Sequence, residues 1–482
     1  MKTFKELYIG GEWVAPAGSD VIEVVSPASE EVIGQVPNGT PADIDAAVGA
    51  ARKAFDEGPW PHLTPVQRAE ILTKLSQGLQ ARSVDIADTI SSQNGSPKQW
   101  SLMGQVFSAT MVLDTYAGLA TTYEWVDTRT GMMGAPVRVR KAPVGVAAAI
   151  TPWNVPLFIA ALKLGPAMLS GCTVVLKPAP ETPLDSYLLA EAAMEAGVPE
   201  GVINIVPAGR ETGEYLVKHP KIDKVSFTGS TAAGMRIGEL CGAQLKRCTL
   251  ELGGKSAAIV LDDVQFDDAL LGQLVQSGLM NNGQVCGAQS RILVSRNRYD
   301  EVVDALAGAV GAMTVGDPLD EATQIGPLVA ERQRTRVEGY LEAGKAAGAR
   351  AVVGGGRPQD LDRGWYVEPT VFADVDNGMT IAQEEIFGPV LSVIPYDNED
   401  QAVAIANDSE YGLCGSVWTA DVSHGEQVAA RMRTGVVAIN SSMILDFNSP
   451  FGGFKKSGIG RELGPEGIAP WTELQSIILP AG

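Results

Sequence analysis

Short apolar runs alternate with amphipathic helical stretches along most of this chain, and each change of period marks where one element gives way to the next. Leu7-Tyr8-Ile9-Gly10-Gly11-Glu12-Trp13 reads as a short strand, a Gly-Gly turn and further extended chain. The helical period predicts helices from Pro41 to Phe55, from Thr64 to Gln93 behind a Thr-Pro start signal, and from about Ser96 to Gly118. Val137-Arg138-Val139-Arg140-Lys141 alternates apolar with basic residues, which fits a strand with one face exposed, either at a solvated sheet edge or at a subunit contact.

From Gly145 the pattern becomes that of crossover units building a parallel sheet, with strands expected at Val146 to Ile150, Thr173 to Leu176, Ile203 to Val206, Lys224 to Phe227 and Thr249 to Leu252. Ligands of a doubly wound sheet sit beyond the carboxyl ends of its strands. Those ends carry Thr151-Pro152-Trp153-Asn154, Lys177-Pro178, Pro207-Ala208-Gly209, Thr228-Gly229-Ser230 and Gly253-Gly254-Lys255, a rim of polar groups, glycines and lysines. A second alternating region runs from near Ser256 to about Asn440, with strands expected at Ala257 to Leu261, Arg291 to Val294, Val390 to Ile394, Ser416 to Thr419 and Val436 to Ile439. The fold class is α/β.

Composition narrows the function. With 482 residues, 45% of them hydrophobic, the chain has material for two or three domains. Its 57 acidic against 37 basic residues give a formal charge of -20, which repels nucleic acid and anionic membrane surfaces, so neither is expected as a partner. The opening Met-Lys-Thr-Phe-Lys-Glu-Leu-Tyr lacks a long apolar core and no apolar run reaches the length of a bilayer span, so the expected location is cytoplasmic. Cys172, Cys241, Cys248, Cys286 and Cys414 are odd in number and form no C-x-x-C pair, which speaks against a disulfide framework and a structural zinc site. No metal site is expected.

Four stretches carry candidate chemistry. Asn282-Gly283-Gln284-Val285-Cys286-Gly287 sets a thiol between glycines, open to close approach by a flat substrate, although a cysteine is as readily a small buried hydrophobe. Gly229-Ser230-Thr231-Ala232-Ala233-Gly234 opens a helix after a strand; it lacks the G-x-G-x-x-G fingerprint, and serves either as a pyrophosphate cradle or as turn chemistry. Lys177 before Pro178 is placed for a ribose hydroxyl, or snorkels. Glu384-Glu385 runs into the rigid turn Ile386-Phe387-Gly388-Pro389, where a solvated helix end is the plain alternative.

Taken together, these motifs resemble those of the NAD(P)-dependent aldehyde dehydrogenase superfamily, in the same order over nearly the whole chain. Leu250-Glu251-Leu252-Gly253-Gly254-Lys255-Ser256 is similar to that family's glutamate motif and Gly283-Gln284-Val285-Cys286 to its cysteine motif. Pro152-Trp153-Asn154-Val155-Pro156, Phe227-Thr228-Gly229-Ser230, Glu385-Ile386-Phe387-Gly388-Pro389 and Pro450-Phe451-Gly452-Gly453-Phe454-Lys455-Lys456-Ser457-Gly458 resemble further motifs. The resemblance implies a Rossmann-like cofactor domain (1–121 and 144–255), a catalytic α/β domain (256–457) and a small β bridging element (122–143 and 458–482) used for dimer or tetramer assembly. It implies NAD as cofactor, with NADP possible, held by Ile150, Thr151, Pro152, Trp153, Asn154, Lys177, Gly209, Phe227, Gly229, Ser230, Gly234, Glu251, Leu252, Gly253, Cys286, Glu385 and Phe387. The implied catalytic set is Cys286, Glu251, Asn154 and Lys177, acting on a small-molecule aldehyde.

The chemistry follows from the residue types. An aldehyde carbon donates hydride poorly until a nucleophile adds, and a thiolate adds most readily at neutral pH. The resulting oxyanion needs preorganised donors, which the resemblance supplies as the Asn154 amide and the Cys286 N–H. After hydride transfer a thioester remains, and its hydrolysis needs a base. His62, His219 and His424 fall in no motif, so a carboxylate is required, and Glu251 in an apolar strand fits. By resemblance Glu385 holds the nicotinamide ribose.

Departures from the family pattern change expectations. Pro180 stands where relatives carry a glutamate that favours NAD, with Glu181 beside it as a candidate substitute, and Pro465 stands where many carry another Glu on the proton path. Val155 and Leu162 occupy positions that resemble ones often aromatic, which points away from a quaternary ammonium aldehyde and toward an aliphatic or terpenoid one. The acylating branch, which passes the thioester to coenzyme A, typically lacks the glutamate present here as Glu251. A cofactor-independent cysteine hydrolase leaves the parallel sheet without a role, and a non-catalytic relative leaves Cys286, Glu251 and Asn154 without one.

Overall fold

The computed structural model describes residues 1–480. Its first large sheet has eight strands, in spatial order Gly458–Ile459, Arg247–Glu251, Lys224–Thr228, Val146–Ile150, Thr173–Lys177, Ile203–Ile205, Leu7–Ile9 and Glu12–Val14. The strands expected from the apolar runs form its parallel centre. Three of them, Val146–Ile150, Thr173–Lys177 and Lys224–Thr228, are buried along their whole length, as a sheet covered by helices on both faces requires. Their register lines up the carboxyl ends: Ile150 pairs with Lys177 and with Phe227, and Thr228 with Glu251. The hairpin Leu7–Ile9/Glu12–Val14 closes one edge antiparallel, and its Gly10 and Gly11 take φ of 67° and 86°, a turn that other residues adopt only with strain.

The second sheet has seven strands, in order Arg350–Val353, Thr370–Ala373, Val390–Tyr396, Arg291–Ser295, Ala257–Val260, Cys414–Trp418 and Val436–Ile439. All pairs are parallel except at the Arg350–Val353 edge. That edge and Thr370–Ala373 are strands the apolar pattern did not mark. A smaller sheet joins Thr472–Ile478, Pro136–Pro143 and Val126–Thr130, so the alternating Val137–Lys141 stretch lies in a central strand and not at a sheet edge. Of the 458–482 segment expected there, Gly458–Ile459 pairs instead with Leu250 and Glu251 in the first sheet. Residues 481 and 482 of that segment lie outside the described residues.

The long helix expected over Thr64 to Gln93 is two helices. Pro65–Ala81 starts on a reciprocal cap between Thr64 and Gln67 and ends at Arg82, whose backbone (φ −104°, ψ 13°) leaves the helical region; Ser83–Asn94 follows. Both halves bury apolar residues (Leu72, Leu75 and Leu79, then Ile86, Ala87 and Ile90), so periodicity alone runs through the break. The third helical stretch begins as a short turn at Lys98–Trp100, widens to a π-helix over Ser101–Phe107 and continues as Ser108–Leu119. Among the described residues, no helix is long and apolar enough to cross a membrane. All five cysteines are free.

Candidate active site

Cys286 sits in a loop reached through three consecutive left-handed residues, Asn281, Asn282 and Gly283, with φ of 51°, 61° and 69°. The motifs meet around it at glycines. A Cβ on Gly283 would stand 2.0 Å from the Gly388 carbonyl oxygen, and one on Gly254 would stand 2.4 Å from the Cys286 carbonyl oxygen. One on Gly253 would strike Glu385 Oε2 at 2.4 Å, and one on Gly452 would meet Glu251 Oε1 at 2.8 Å. The glutamate, cysteine, Glu385-Phe387 and Phe451 motifs therefore pack within backbone distance of one another, which side chains at these positions would prevent.

A cavity of about 330 Å³ opens at this junction, lined by Asn154, Glu251, Cys286, Glu385 and Phe387, with Leu252 and Gly253 in its floor. Asn154 Nδ2 donates to the Gln284 carbonyl at 2.7 Å, which ties the end of the first sheet to the loop that carries the thiol. Glu384 and Glu385 divide their roles: Glu384 is exposed and accepts from the Tyr340 hydroxyl at 2.7 Å, whereas Glu385 turns inward and accepts from the Gly254 N–H at 3.0 Å. Phe387 holds a left-handed φ of 61° and presents its ring edge-on to Trp153 at 5.2 Å.

A second cavity of about 340 Å³ lies over the carboxyl ends of the first sheet, lined by Ile150, Thr151, Lys177 and Phe227, and shares Pro152, Trp153, Thr228, Gly229 and Ser230 with the first. The two form one elongated cleft. Ser230 caps the helix Thr231–Gly242, its side chain accepting from the Ala233 N–H, so a helix N-terminus faces the waist of the cleft. Lys177 lies in this second cavity, away from Cys286. It is buried, donates to the Pro178 carbonyl at 3.0 Å, and is lowered to about 8 by burial. Lys177, expected in the catalytic set, therefore lines the far cavity and not the chamber of the thiol.

Two glycines expected to bind cofactor line neither cavity. The Gly209 N–H donates to Asn38 Oδ1 at 3.2 Å where it starts the helix Arg210–Lys218, and Gly234 packs on Leu252, where a Cβ would stand 2.3 Å from Cδ2. Gly234 thus lets its helix approach the end of the Arg247–Glu251 strand, and Gly209 ties its helix start to Asn38.

The electrostatics differ from the simple expectation of a thiolate. Burial first, then the charges of Glu385 and Glu251, push the Cys286 thiol up to about 12, so the resting side chain is the thiol. Burial and then Glu462 raise Glu251 well above the usual carboxylate range, and neither of its oxygens has a hydrogen-bond partner among the described residues. Burial raises Glu385 to about 7.

Several lining residues carry no motif signal. Ile159 joins Val155 in the wall beside the thiol, whereas Leu162 is packed into the core. Arg332, Gln333 and Arg336 reach the cleft from helix Glu331–Ala346, and Arg210 and Arg236 line the far cavity. Lys163 and Glu462 form a buried ion pair of 3.0 Å, and the charge of Glu462 bears on Glu251. A lone lysine in the otherwise apolar and buried helix Pro156–Ser170 was the legible sign of such a pair. None of the three histidines lines either cavity.

A thiol, an amide and a buried carboxylate converge at one end of this elongated cleft. Residues 13–477 match the model of the aldehyde dehydrogenase family. This chain belongs to the aldehyde dehydrogenase family. It is 50% identical over 477 residues to a geranial dehydrogenase of Castellaniella defragrans, covering 98% of each chain. The crystal structure of a Mycobacterium tuberculosis aldehyde dehydrogenase complexed with NAD+ superposes with a TM-score of 0.98 at 52% identity, covering 100% of this chain and 99% of that one. An aldehyde dehydrogenase C mutant from Pseudomonas syringae, complexed with NAD+ and octanal, gives a TM-score of 0.95 at 40% identity over 99% of this chain and 98% of that one. Aldehyde dehydrogenases oxidise aldehydes to carboxylic acids with NAD(P), and this chain is such an enzyme.

Proposed function

We propose that the enzyme oxidises an apolar, aliphatic or terpenoid aldehyde to its acid with NAD, using Cys286 as nucleophile, Asn154 and the Cys286 N–H as oxyanion donors, and Glu251 as the base of hydrolysis. The observation that carries this reading is the convergence of Cys286, Asn154 and Glu251 in one chamber that continues into the cleft over the first sheet. Val155 and Ile159 beside the thiol favour an alkyl chain over a cation, as do the geranial and octanal named for two relatives.

The cleft fits a dinucleotide. It has a helix N-terminus at its waist, the buried Lys177 amine at one end, and at the other Glu385, pinned by Gly254 and suited to a ribose hydroxyl. Bound, NAD supplies a cationic ring that accepts the hydride. The rest is done by the chain: Cys286 gives up its proton to solvent and adds to the carbonyl as the thiolate, and Asn154 Nδ2 leaves the Gln284 carbonyl for the oxyanion. After hydride departure Glu251 takes a proton from the water that attacks the thioester.

Arg210 bears on cofactor choice. In the far cavity Glu181 pairs with Arg332 at 2.6 Å and Glu214 pairs with Arg236 at 3.1 Å, whereas Arg210, among the described residues, pairs with no carboxylate. With Pro180 replacing a carboxylate, this end tolerates a 2'-phosphate and the enzyme accepts NADP as a secondary cofactor.

The chain is organised as a cofactor domain (1–121 and 144–255), a catalytic domain (256–457) and a bridging sheet. That sheet exposes Val126, Leu474 and Ile478, apolar surface suited to a homodimer or homotetramer. Free thiols suit the cytoplasm. The test is a panel of aldehydes with each cofactor, followed at the reduced-nicotinamide absorbance. A preference for betaine aldehyde over octanal and geranial would overturn the substrate assignment.

A further inference from the structure

Three side-chain amides from three separate segments converge on a single carbonyl oxygen. Asn94 Nδ2 at 3.1 Å, Gln105 Nε2 at 3.0 Å and Asn281 Nδ2 at 3.1 Å all donate to the backbone oxygen of Asn154. A carbonyl has two lone pairs, so the third donor exceeds what satisfying that oxygen requires. All three side chains are buried, at 1%, 0% and 3% exposure.

Their surroundings tie the two halves of the oxyanion site together. Asn281 also donates to the Gln284 carbonyl at 3.5 Å, the same oxygen that accepts from Asn154 Nδ2 at 2.7 Å. Ser96 locks two of the amides: its hydroxyl donates to Asn281 Oδ1 and its N–H donates to Asn94 Oδ1 at 2.9 Å. Gln105 Oε1 has no partner among the described residues, so that side chain gives up one hydrogen bond to place its NH2 on Asn154. The backbone is irregular under two of the three: Gln105 lies in the π-helical turn Ser101–Phe107, and Asn281 has a left-handed φ of 51°.

We propose that Asn94, Gln105 and Asn281 are positioning residues for the oxyanion site. By fixing the Asn154 carbonyl they fix its Cα–Cβ direction, and Asn281 extends that constraint to the loop that ends in the Cys286 N–H. The two oxyanion donors, 132 positions apart by residue number, are thereby held in one rigid frame while Asn154 Nδ2 exchanges Gln284 for the developing charge. The inference rests on the assignment of Asn154 as an oxyanion donor.

The experiment is a double-mutant cycle between Gln105→Met, which keeps the length and removes the donor, and Asn154→Ala. The readouts are the burst rate of reduced nicotinamide with octanal, the KM for NAD, the thermal midpoint, and acylation by p-nitrophenyl acetate without cofactor, which forms the same oxyanion but transfers no hydride. Gln105→Met is expected to slow the burst and the ester reaction in parallel by about tenfold or more, with the NAD KM unchanged, and to cost nothing further in the Asn154→Ala background. Equal loss in both backgrounds, or no loss in either reaction, overturns the clamp. If Gln105→Met does not fold, Asn94→Ser enters the same cycle with the same expectations. An Asn154→Ala enzyme with an undiminished burst would instead overturn the oxyanion assignment, and the clamp with it.

Discussion

Lys163 and Glu462, 299 positions apart in the sequence, form an ion pair of 3.0 Å in which both side chains are buried. The Lys163 ammonium completes its shell with Thr228 Oγ1 at 2.8 Å and Ser226 Oγ at 3.1 Å, so the pair is hydrogen-bonded as well as charged. Breaking a buried pair leaves one charge uncompensated. Lys163→Met is expected to lower stability by about 3–5 kcal/mol, read from the denaturant midpoint, and Lys163→Met combined with Glu462→Gln to recover part of it.

The same pair sets a pH dependence. Glu251 is raised by burial and then by the charge of Glu462, and as the proposed base of hydrolysis it acts only when ionised. The deacylation rate should therefore rise with pH through the raised pKa of Glu251. Glu462→Gln removes a negative neighbour, makes Glu251 the stronger acid and moves that limb to lower pH. A shift to higher pH would reverse the assignment.

Cys286→Ala should abolish aldehyde turnover while NAD binding, followed by fluorescence titration, stays near that of the unaltered enzyme. In the proposed mechanism the thiol makes the bond to substrate, whereas the rim of the first sheet, Ile150, Lys177 and Phe227 among it, lines the far cavity.

The two inward carboxylates separate kinetically. Glu251→Gln should give a burst of reduced nicotinamide near one per active site followed by very slow turnover, because the thioester persists. Loss of the burst would mean that Glu251 is also required to deprotonate the Cys286 thiol, which burial pushes up to about 12. Glu385→Gln should slow the burst itself by about a hundredfold, since it displaces the ring that receives hydride.

Cofactor preference tests the far cavity. With Pro180 in place of a carboxylate and Arg210 unpaired among the described residues, NAD should be preferred over NADP by less than about a thousandfold in kcat/KM, roughly 4 kcal/mol. Arg210→Glu should widen the gap by lowering the NADP value more than the NAD value. Equal change in both would show that Arg210 does not face the 2'-phosphate.

The parallel centre of both large sheets was written in the sequence, because strands buried on both faces must be apolar along their length and their ends are marked by the polar and glycine residues that follow, Asn154, Lys177 and Gly229 among them. Cys286 stood out between Gly283 and Gly287, where backbones approach closely, whereas Glu251 and Glu385 were picked out by the resemblance of their motifs to those of a known family. The break at Arg82 and the edge strand Arg350–Val353 were not legible, because an amphipathic face can cross a helix break without losing its period and an edge strand is only partly buried. Tertiary structure alone decided the rest. It put Lys177 in a different chamber from the thiol, set the charge of Glu462 against Glu251, and raised the Cys286 thiol by enclosing it beside two carboxylates. A pKa and a convergence of Asn94, Gln105 and Asn281 on one oxygen depend on distances between segments far apart in the chain, and no local pattern encodes those distances.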